Sequence, residues 1–192
     1  ILVTGDVNNN PTAIALSSDT VNENDTGAVV GVLSTTDPDA GDSHTYTLSG
    51  ADADSFEVIN GQLKLKSNIA ADYETKNSYN LTVTATDSGG LDTTQSFAIT
   101  VTNINDTPVV TNSLTDQTIE EDTGFSYTFA GNSFADDDGD ALTYTATLSD
   151  GSELPSWLSF DASSRSFSGT PSNSDHGSIT ITFTATDSSG AN

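Results

Sequence analysis

Two short runs of aspartate carry the side chains with the clearest chemical potential. Asp37, Asp39 and Asp42 lie within six residues beside Gly41, and residues 136–140 contain four aspartates and a glycine. Of the 28 acidic residues, 22 are aspartate and six are glutamate, and only four residues are Lys or Arg. Short aspartates in tight turns supply the oxygen ligands that a hard cation takes, and calcium takes about six to eight of them. The runs therefore predict calcium binding.

The overall charge of this 192-residue chain, −24, excludes several classes of function. Electrostatic binding to nucleic acid or to an anionic membrane requires a basic surface, so neither partner is expected. The longest apolar run, residues 28–33, is too short to span or insert into a bilayer. Cysteine is absent, which excludes disulfides and thiol chemistry. The sequence begins without methionine, and we interpret it as a piece of a longer chain.

An enzyme is not predicted. The sequence contains neither a phosphate-binding glycine loop nor a nucleophile elbow. His44 and His176 lack the spacing of a metal site and are interpreted as surface residues. Isolated aspartates are interpreted as ordinary turn residues; they are Asp52, Asp54, Asp150 and Asp161.

The chain repeats itself with a period of roughly 100 residues. Residues 21–27 match residues 118–124, residues 36–42 match residues 135–140, and residues 84–90 match residues 184–190, in the same order. We therefore divide the chain into the end of a preceding repeat with its linker (1–10), a first domain (11–105) and a second domain (106–192). The second domain is expected to lack its last strand, so its edge would be completed by Ile1–Thr4 of a neighbour or by another chain.

Alternation of apolar and polar residues predicts an all-β fold. Tyr79, Leu81, Val83 and Ala85 share one face of the predicted strand 78–86, and Ile179, Ile181, Phe183 and Ala185 share one face of its repeat, 178–186. About seven short strands per hundred residues, with Gly and Asp turns, are typical of β-sandwiches. The remaining predicted strands are 13–16, 28–34, 44–48, 56–59, 62–66, 94–102, 118–119, 126–129, 142–148, 157–160 and 165–168.

The first domain resembles a cadherin repeat through five motifs in order. They are Glu23 in its Val-Asn-Glu-Asn segment, Asp37-Pro38-Asp39, Ala71-Asp72-Tyr73-Glu74, Asp87 in Thr-Ala-Thr-Asp-Ser-Gly, and the linker Asn103-Ile104-Asn105-Asp106-Thr107-Pro108. Asn103 stands where the family has Asp, and Thr107 where it has Asn. Asn9 replaces the second Asp of the upstream linker. Each Asp-to-Asn change keeps an oxygen and removes a charge, so we expect weaker or fewer ions.

The second domain is similar to the dystroglycan-type cadherin-like domain of large bacterial surface adhesins of the RTX-adhesin kind. The similarity rests on residues 154–161, 167–171 and 184–187. Its Asp-x-Glu stretch is occupied by Ser174-Asp175-His176, without a glutamate. Calcium at that far end is therefore not expected.

The resemblance implies two tandem Ig-like or cadherin-like Greek-key β-sandwiches joined by a short calcium-binding linker. In the family, Ca²⁺ lies between consecutive repeats. The implied ligands of the complete junction are Glu23, Asp72, Glu74, Asn103, Asn105, Asp106, the backbone of Thr107, Asp136, Asp138 and Asp187. A second, half-built site would use Asp6, Asn8, Asn10, Asp37, Asp39 and Asp87.

The resemblance further implies an extracellular, calcium-rigidified extender or adhesion module of a large bacterial adhesin, acting in cell-surface or biofilm attachment. Its partners would be neighbouring repeats and a cell-surface protein or polysaccharide. A carbohydrate-binding module remains the alternative. Threonine rows at 143–147 and 180–186 could contact a glycan, but a solvent-facing strand is the preferred interpretation. Trp157 could stack on a sugar, but a place in the core is the preferred interpretation.

Overall fold

A computed structural model gives the structure of the chain and describes residues 7–192. The regular structure in this range consists of strands and one short 3₁₀ helix, Ala53–Ser55. The chain divides into two compact units between Ile104 and Asn105. The predicted all-β class is confirmed.

The first unit is a sandwich of two four-stranded sheets. One sheet has the order β1-β3-β6-β5 and the other β2-β8-β7-β4. The pairs are antiparallel except for β2 and β8, which are parallel. The strands are β1 Ala13–Leu16, β2 Thr20–Asn22, β3 Val29–Thr36, β4 Thr45–Ser49, β5 Phe56–Ile59, β6 Gln62–Leu65, β7 Ser78–Thr86 and β8 Asp92–Thr102.

Strict alternation along β7 explains how these sheets pack. Leu81, Val83 and Ala85 point into the core, while the threonines between them face outward. Leu63 and Leu65 of the opposite sheet are fully buried, as is Ile99 of β8. Because the side chains of successive residues point to opposite faces, each strand supplies one apolar face to the interior. The apolar area removed from water holds the two sheets together.

The second unit has shorter strands in three small sheets. β10, β14 and β13 form one sheet, β11 pairs with β9, and β12 pairs with β15, all antiparallel. The strands are β9 Val109–Val110, β10 Phe125–Thr128, β11 Phe134–Ala135, β12 Thr143–Leu148, β13 Leu158–Asp161, β14 Ser166–Gly169 and β15 Ile181–Thr186.

An aromatic cluster fills the second unit where the first uses aliphatic side chains. The ring of Phe183 lies 4.6 Å from that of Phe129 in an edge-on arrangement, and Phe160 lies 4.7 Å from Phe167. Edge-to-face pairs of this kind add to the hydrophobic contribution. Trp157 is half-buried.

The predicted strands agree with the structure except at two places. Residues 118–119 are not a strand, whereas β2, at the corresponding place in the first unit, is held by parallel pairing with β8. The described part of the second unit has no counterpart of β8, so this segment lacks the partner that would make it a strand. Ile179, predicted to point inward, precedes β15 and is 46% exposed. The strands that the sequence missed, β2, β9 and β11, are only two or three residues long.

Within residues 7–192 we find no helix with the length and apolar character needed to cross a bilayer.

Gly169 provides a test of the packing in the second unit. A Cβ added there would overlap the carbonyl oxygen of Trp157, whereas one at Gly124 would meet nothing within 4 Å. Backbone cannot move aside as a side chain can, so we expect Gly169→Ala to lower the free energy of unfolding by about 3 kcal/mol or more. Trp157, the single tryptophan, reports this unit in urea titrations followed by fluorescence.

Gly124→Ala is the matched control and should change the urea midpoint little. Equal midpoints for the two variants would contradict the packing described for Gly169.

Candidate metal centres

Asp87 occupies the loop that follows β7 and is 6% exposed. Its Oδ1 accepts hydrogen bonds from the backbone N–H groups of Gly89 (2.8 Å) and Leu91 (2.9 Å). Its Oδ2 accepts one from the side-chain amide of Asn8 at 3.0 Å. The buried carboxylate therefore ties the start of the described chain to the end of β7.

The Asp37-Pro38-Asp39 loop after β3 holds the start of the described chain at a second point, through Asn9. Asp37 Oδ1 accepts the backbone N–H of Asp39 at 2.8 Å, which closes an Asx turn. Asp39 in turn accepts the backbone N–H of Asn9 at 2.6 Å and its side-chain amide at 3.0 Å. The turn thus aims Asp39 at the linker.

Asp42 belongs to the same cluster, although the ligand set inferred from the sequence left it out. Its Oδ1 accepts the hydroxyl of Ser88 at 2.7 Å, and its Oδ2 is buried without a hydrogen-bond partner. Oxygens of Asp37, Asp42 and Asp87 all lie within 4.8 Å of one another. Two oxygens that bind one Ca²⁺ at about 2.3–2.6 Å can be at most about 5 Å apart, so the donor set fits a calcium ion.

The second unit repeats part of this arrangement. Asp187, 5% exposed, accepts the side-chain amide of Asn105 at 2.8 Å and the N–H groups of Ser189 and Ala191 at 2.9 and 2.8 Å. Two further contacts match those of the first unit: Asp106 N–H donates to Asp138 at 2.7 Å, and the Ser188 hydroxyl donates to Asp140 at 2.6 Å. A third differs, because Asp136 Oδ1 accepts the N–H of Asp140 at 3.2 Å. Asp136 Oδ2 is buried without a hydrogen-bond partner. An orphaned buried oxygen thus occurs in both clusters.

Hydrogen bonds keep the two buried aspartates ionised. Partial burial acts to raise the pKa of Asp87, but the donors of Leu91, Asn8 and Gly89 outweigh it and hold that pKa below its ordinary value. The Asn105 amide and the N–H groups of the following loop likewise lower the pKa of Asp187 against the effect of burial. Both carboxylates are therefore available as anionic ligands at neutral pH.

A different acidic group lies at the other end of the first unit. Glu23, which follows β2, is 2% exposed and accepts the backbone N–H groups of Tyr73 (2.7 Å) and Ile104 (2.6 Å). Glu74 accepts the side-chain amide of Asn103 at 3.0 Å. The structure thus brings Glu23 and Glu74 to the end of β8.

Other residues of the ligand set inferred from the sequence contact groups outside that set or are exposed. Both oxygens of Asp72 are used by the N–H and hydroxyl of Thr75, at 2.7 and 2.8 Å. Asn10 donates to the carbonyl of Asp92 at 3.1 Å, and Thr107 is exposed. Asp6 and Ile1–Thr4 lie outside the described residues.

The interpretation of His44 as a surface residue is wrong, whereas that of Asp150 and Asp161 as turn residues is confirmed. The side chain of His44 is 10% exposed and its Nε2 lies 2.9 Å from Asp37 Oδ2. Asp150 and Asp161 are turn residues as expected, since each accepts the N–H and the hydroxyl of the serine two residues later. The serines lower the pKa of Asp161 to about 2.

Comparison with known families agrees with this description. Residues 18–102 match the family model of the cadherin domain, and residues 107–192 match the family model described as "Putative Ig domain". The chain is thus a cadherin-like unit and an Ig-like unit in tandem. Tandem domains of this kind are typical of extracellular adhesion modules. The finer assignment of the second unit to the dystroglycan type stays a prediction.

Individual relatives show how far the similarity extends. Human cadherin-related family member 2 is 33% identical over 103 residues, which are 46% of this chain and 8% of that protein. The crystal structure of human protocadherin-24 EC1-2 has a TM-score of 0.56 at 20% identity, covering 90% of this chain and 94% of the other. Mouse cadherin-23 EC22-24 has a TM-score of 0.52 at 21% identity, covering 95% and 60%. These structures share the fold.

The lowered pKa of Asp187 predicts an acid-dependent loss of stability. An aspartate whose pKa is lower in the folded than in the unfolded chain stabilises the fold above about pH 4, and this contribution disappears as pH falls through the folded pKa. Both carboxylate oxygens of Asp187 accept hydrogen bonds, whereas an asparagine side chain has a single acceptor oxygen. Asp187→Asn should therefore have a lower free energy of unfolding than the native chain at pH 7 in EDTA. The difference should shrink below pH 4. Urea unfolding followed by Trp157 fluorescence measures it.

The matched control is Asp116→Asn, which neutralises an exposed aspartate of the same unit. It should remain close to the native chain at every pH. A destabilisation by Asp187→Asn that is as large at pH 2 as at pH 7 would contradict the electrostatic explanation.

Proposed function

We propose that this chain is a calcium-rigidified extender of a large extracellular bacterial adhesin, which positions other modules for attachment to a cell surface or within a biofilm. One observation carries the proposal. Both units hold the polar segment that precedes them against an acidic cluster with the same hydrogen bonds, and each cluster contains a buried carboxylate oxygen without a partner.

Charge supports a cation at these clusters. The carboxylates of Asp37, Asp42 and Asp87 are close enough to repel one another, and the chain has few cationic side chains to offset them. Backbone and amide donors satisfy some of the oxygens but not Asp42 Oδ2. A divalent cation would satisfy the remaining oxygen and remove the repulsion.

The proposed ligands follow from the order of the chain and the family resemblance. Side chains of the first unit, the linker and the second unit would share ions, so that the linker is fixed at both ends. The set is Glu23, Asp72, Glu74, Asn103, Asn105, Asp106, Thr107, Asp136, Asp138 and Asp187, to which we add Asp140. The corresponding set at the start of the first unit is Asp6, Asn8, Asn10, Asp37, Asp39 and Asp87, to which we add Asp42.

Each class of residue has a distinct part in this proposal. The aspartates supply charge and oxygen. The Asx turns and the short N–H contacts to Asp87 and Asp187 hold those oxygens in place before any ion arrives. The asparagines tie the linker to the same carboxylates. Bound calcium would supply the multivalent charge that keeps the linker attached, which converts a flexible connection into a stiff one.

The bacterial setting rests on the family resemblance. The combination of a cadherin-like repeat with a domain similar to the dystroglycan type, in an acidic chain without cysteine, resembles secreted bacterial adhesins. The relatives described above are from human and mouse, and the chain spans less than a tenth of the human one.

A neutral polysaccharide is the second candidate ligand, supported by the register of the second unit. The threonines of β12 and β15 lie directly opposite each other, and Thr143, Thr145 and Thr147 pair with Thr186, Thr184 and Thr182. A row of hydroxyls offers paired donors and acceptors to sugar hydroxyls. A glycan array probed with this chain in calcium and in EDTA tests this candidate.

Calcium should raise the thermal stability of the second unit. A ligand that binds only the folded state adds about 2.7 kcal/mol when present at 100 times its Kd. We expect the midpoint of Trp157 fluorescence melting to rise between EDTA and excess calcium, and Asp138→Asn to lose most of that rise because it removes a proposed ligand.

Asp116→Asn is again the control with equal charge change and should keep the full rise. Magnesium in place of calcium should give a smaller shift, since it dehydrates reluctantly. A midpoint that calcium leaves unchanged in the native chain would refute the proposal.

A further inference from the structure

His44 immediately precedes β4 and contacts the acidic cluster of the first unit through Asp37. Its Nε2 lies 2.9 Å from Asp37 Oδ2, and the two side chains are 10% and 5% exposed. Because an ionised carboxylate only accepts hydrogen bonds, the ring nitrogen is the donor. Asp37 Oδ1 accepts the N–H of Asp39, so both oxygens of Asp37 are held by donors.

The ring does not belong to the cluster of oxygens itself. The close group consists of Asp37, Asp42 and Asp87. The contact that His44 makes is with Asp37, and any effect on a cation would pass through that carboxylate. This is the geometry of a residue that orients a ligand.

The second unit provides an internal comparison. Thr45 pairs with Thr86 and Thr143 pairs with Thr186, so His44 and Leu142 occupy the same place before β4 and β12. Leucine has no donor. Asp136, which corresponds to Asp37, correspondingly has a buried Oδ2 without a hydrogen-bond partner. The same carboxylate is thus fixed by a side chain in one unit and left unsatisfied in the other.

We propose that His44 is a positioning residue that holds Asp37 in the orientation needed to bind a divalent cation in the first unit. The inference rests on the proposed function, since it assumes that the cluster binds calcium. Donors that fix a metal-ligating carboxylate typically raise metal affinity about 10–100-fold. His44 therefore makes the calcium affinity of the first cluster depend on a side chain that the second cluster lacks.

Calcium titration of variants of the full chain tests this role. The His44 variants are made in a parent chain that carries Asp138→Asn. This substitution impairs the second cluster, so that calorimetry of the parent measures calcium binding by the first. His44→Leu copies the second unit and should weaken calcium binding about tenfold. His44→Gln places an amide donor near the position of Nε2 and should restore most of the affinity.

The reciprocal variant is Leu142→His in the otherwise native chain. It should strengthen calcium binding by the second unit, measured from Trp157 fluorescence.

Stability in EDTA separates positioning from folding. Circular dichroism melts in EDTA should show that His44→Leu and His44→Gln are both folded. Their melting midpoints in EDTA should not rank in the order of their calcium affinities. Equal affinity of His44→Leu and the parent would overturn the inference while leaving the proposed function intact. A His44→Gln as weak as His44→Leu would also overturn it, because the donor would then not be the cause. Absence of calcium binding in both the native chain and the parent would instead refute the proposed function.

Discussion

The constraint on which the structure depends is that three carboxylates share a small volume at the start of the first unit. Oxygens of Asp37, Asp42 and Asp87 lie within 4.8 Å of one another, and Asp87 is almost completely buried. Like charges at this range repel, and removal from water makes the repulsion stronger. The chain relieves it with N–H donors, serine hydroxyls and asparagine amides, but an oxygen of Asp42 and one of Asp136 remain unsatisfied. A divalent cation is the species that such oxygens fit.

The β-sandwich is the scaffold that makes this arrangement repeatable. β7 and β15 each end one residue before the buried aspartate, and the loop after each donates two N–H groups to it. The strands bury mainly aliphatic side chains in the first unit and a cluster of phenylalanines in the second, so the cores differ while the N–H donors to the buried aspartate recur. The acidic clusters therefore depend on loop chemistry at the strand ends more than on how each core is filled.

Much of this could be predicted from sequence because alternation is a local signal. β1, β5 and β7 begin and end where the pattern predicts, and Asp37, Asp39 and Asp87 were found through their motifs. Residues 118–119 were wrongly predicted as a strand because a strand also needs a partner. Asp42 lies in the aspartate run that predicts calcium binding, although the ligand set implied by the family resemblance omits it. The contact between His44 and Asp37 could not be predicted, because no spacing in the sequence reveals it.

Rigidity of the linker is the central claim, and ¹⁵N relaxation of the full chain in calcium and then in excess EDTA tests it most directly. In calcium, both units should have one common rotational correlation time, and the order parameters at residues 103–107 should be close to those of the strands. In EDTA, the two units should tumble with separate, shorter correlation times, and the linker order parameters should fall. Identical relaxation in the two conditions would contradict the account, because the acidic clusters would then be ordinary turns.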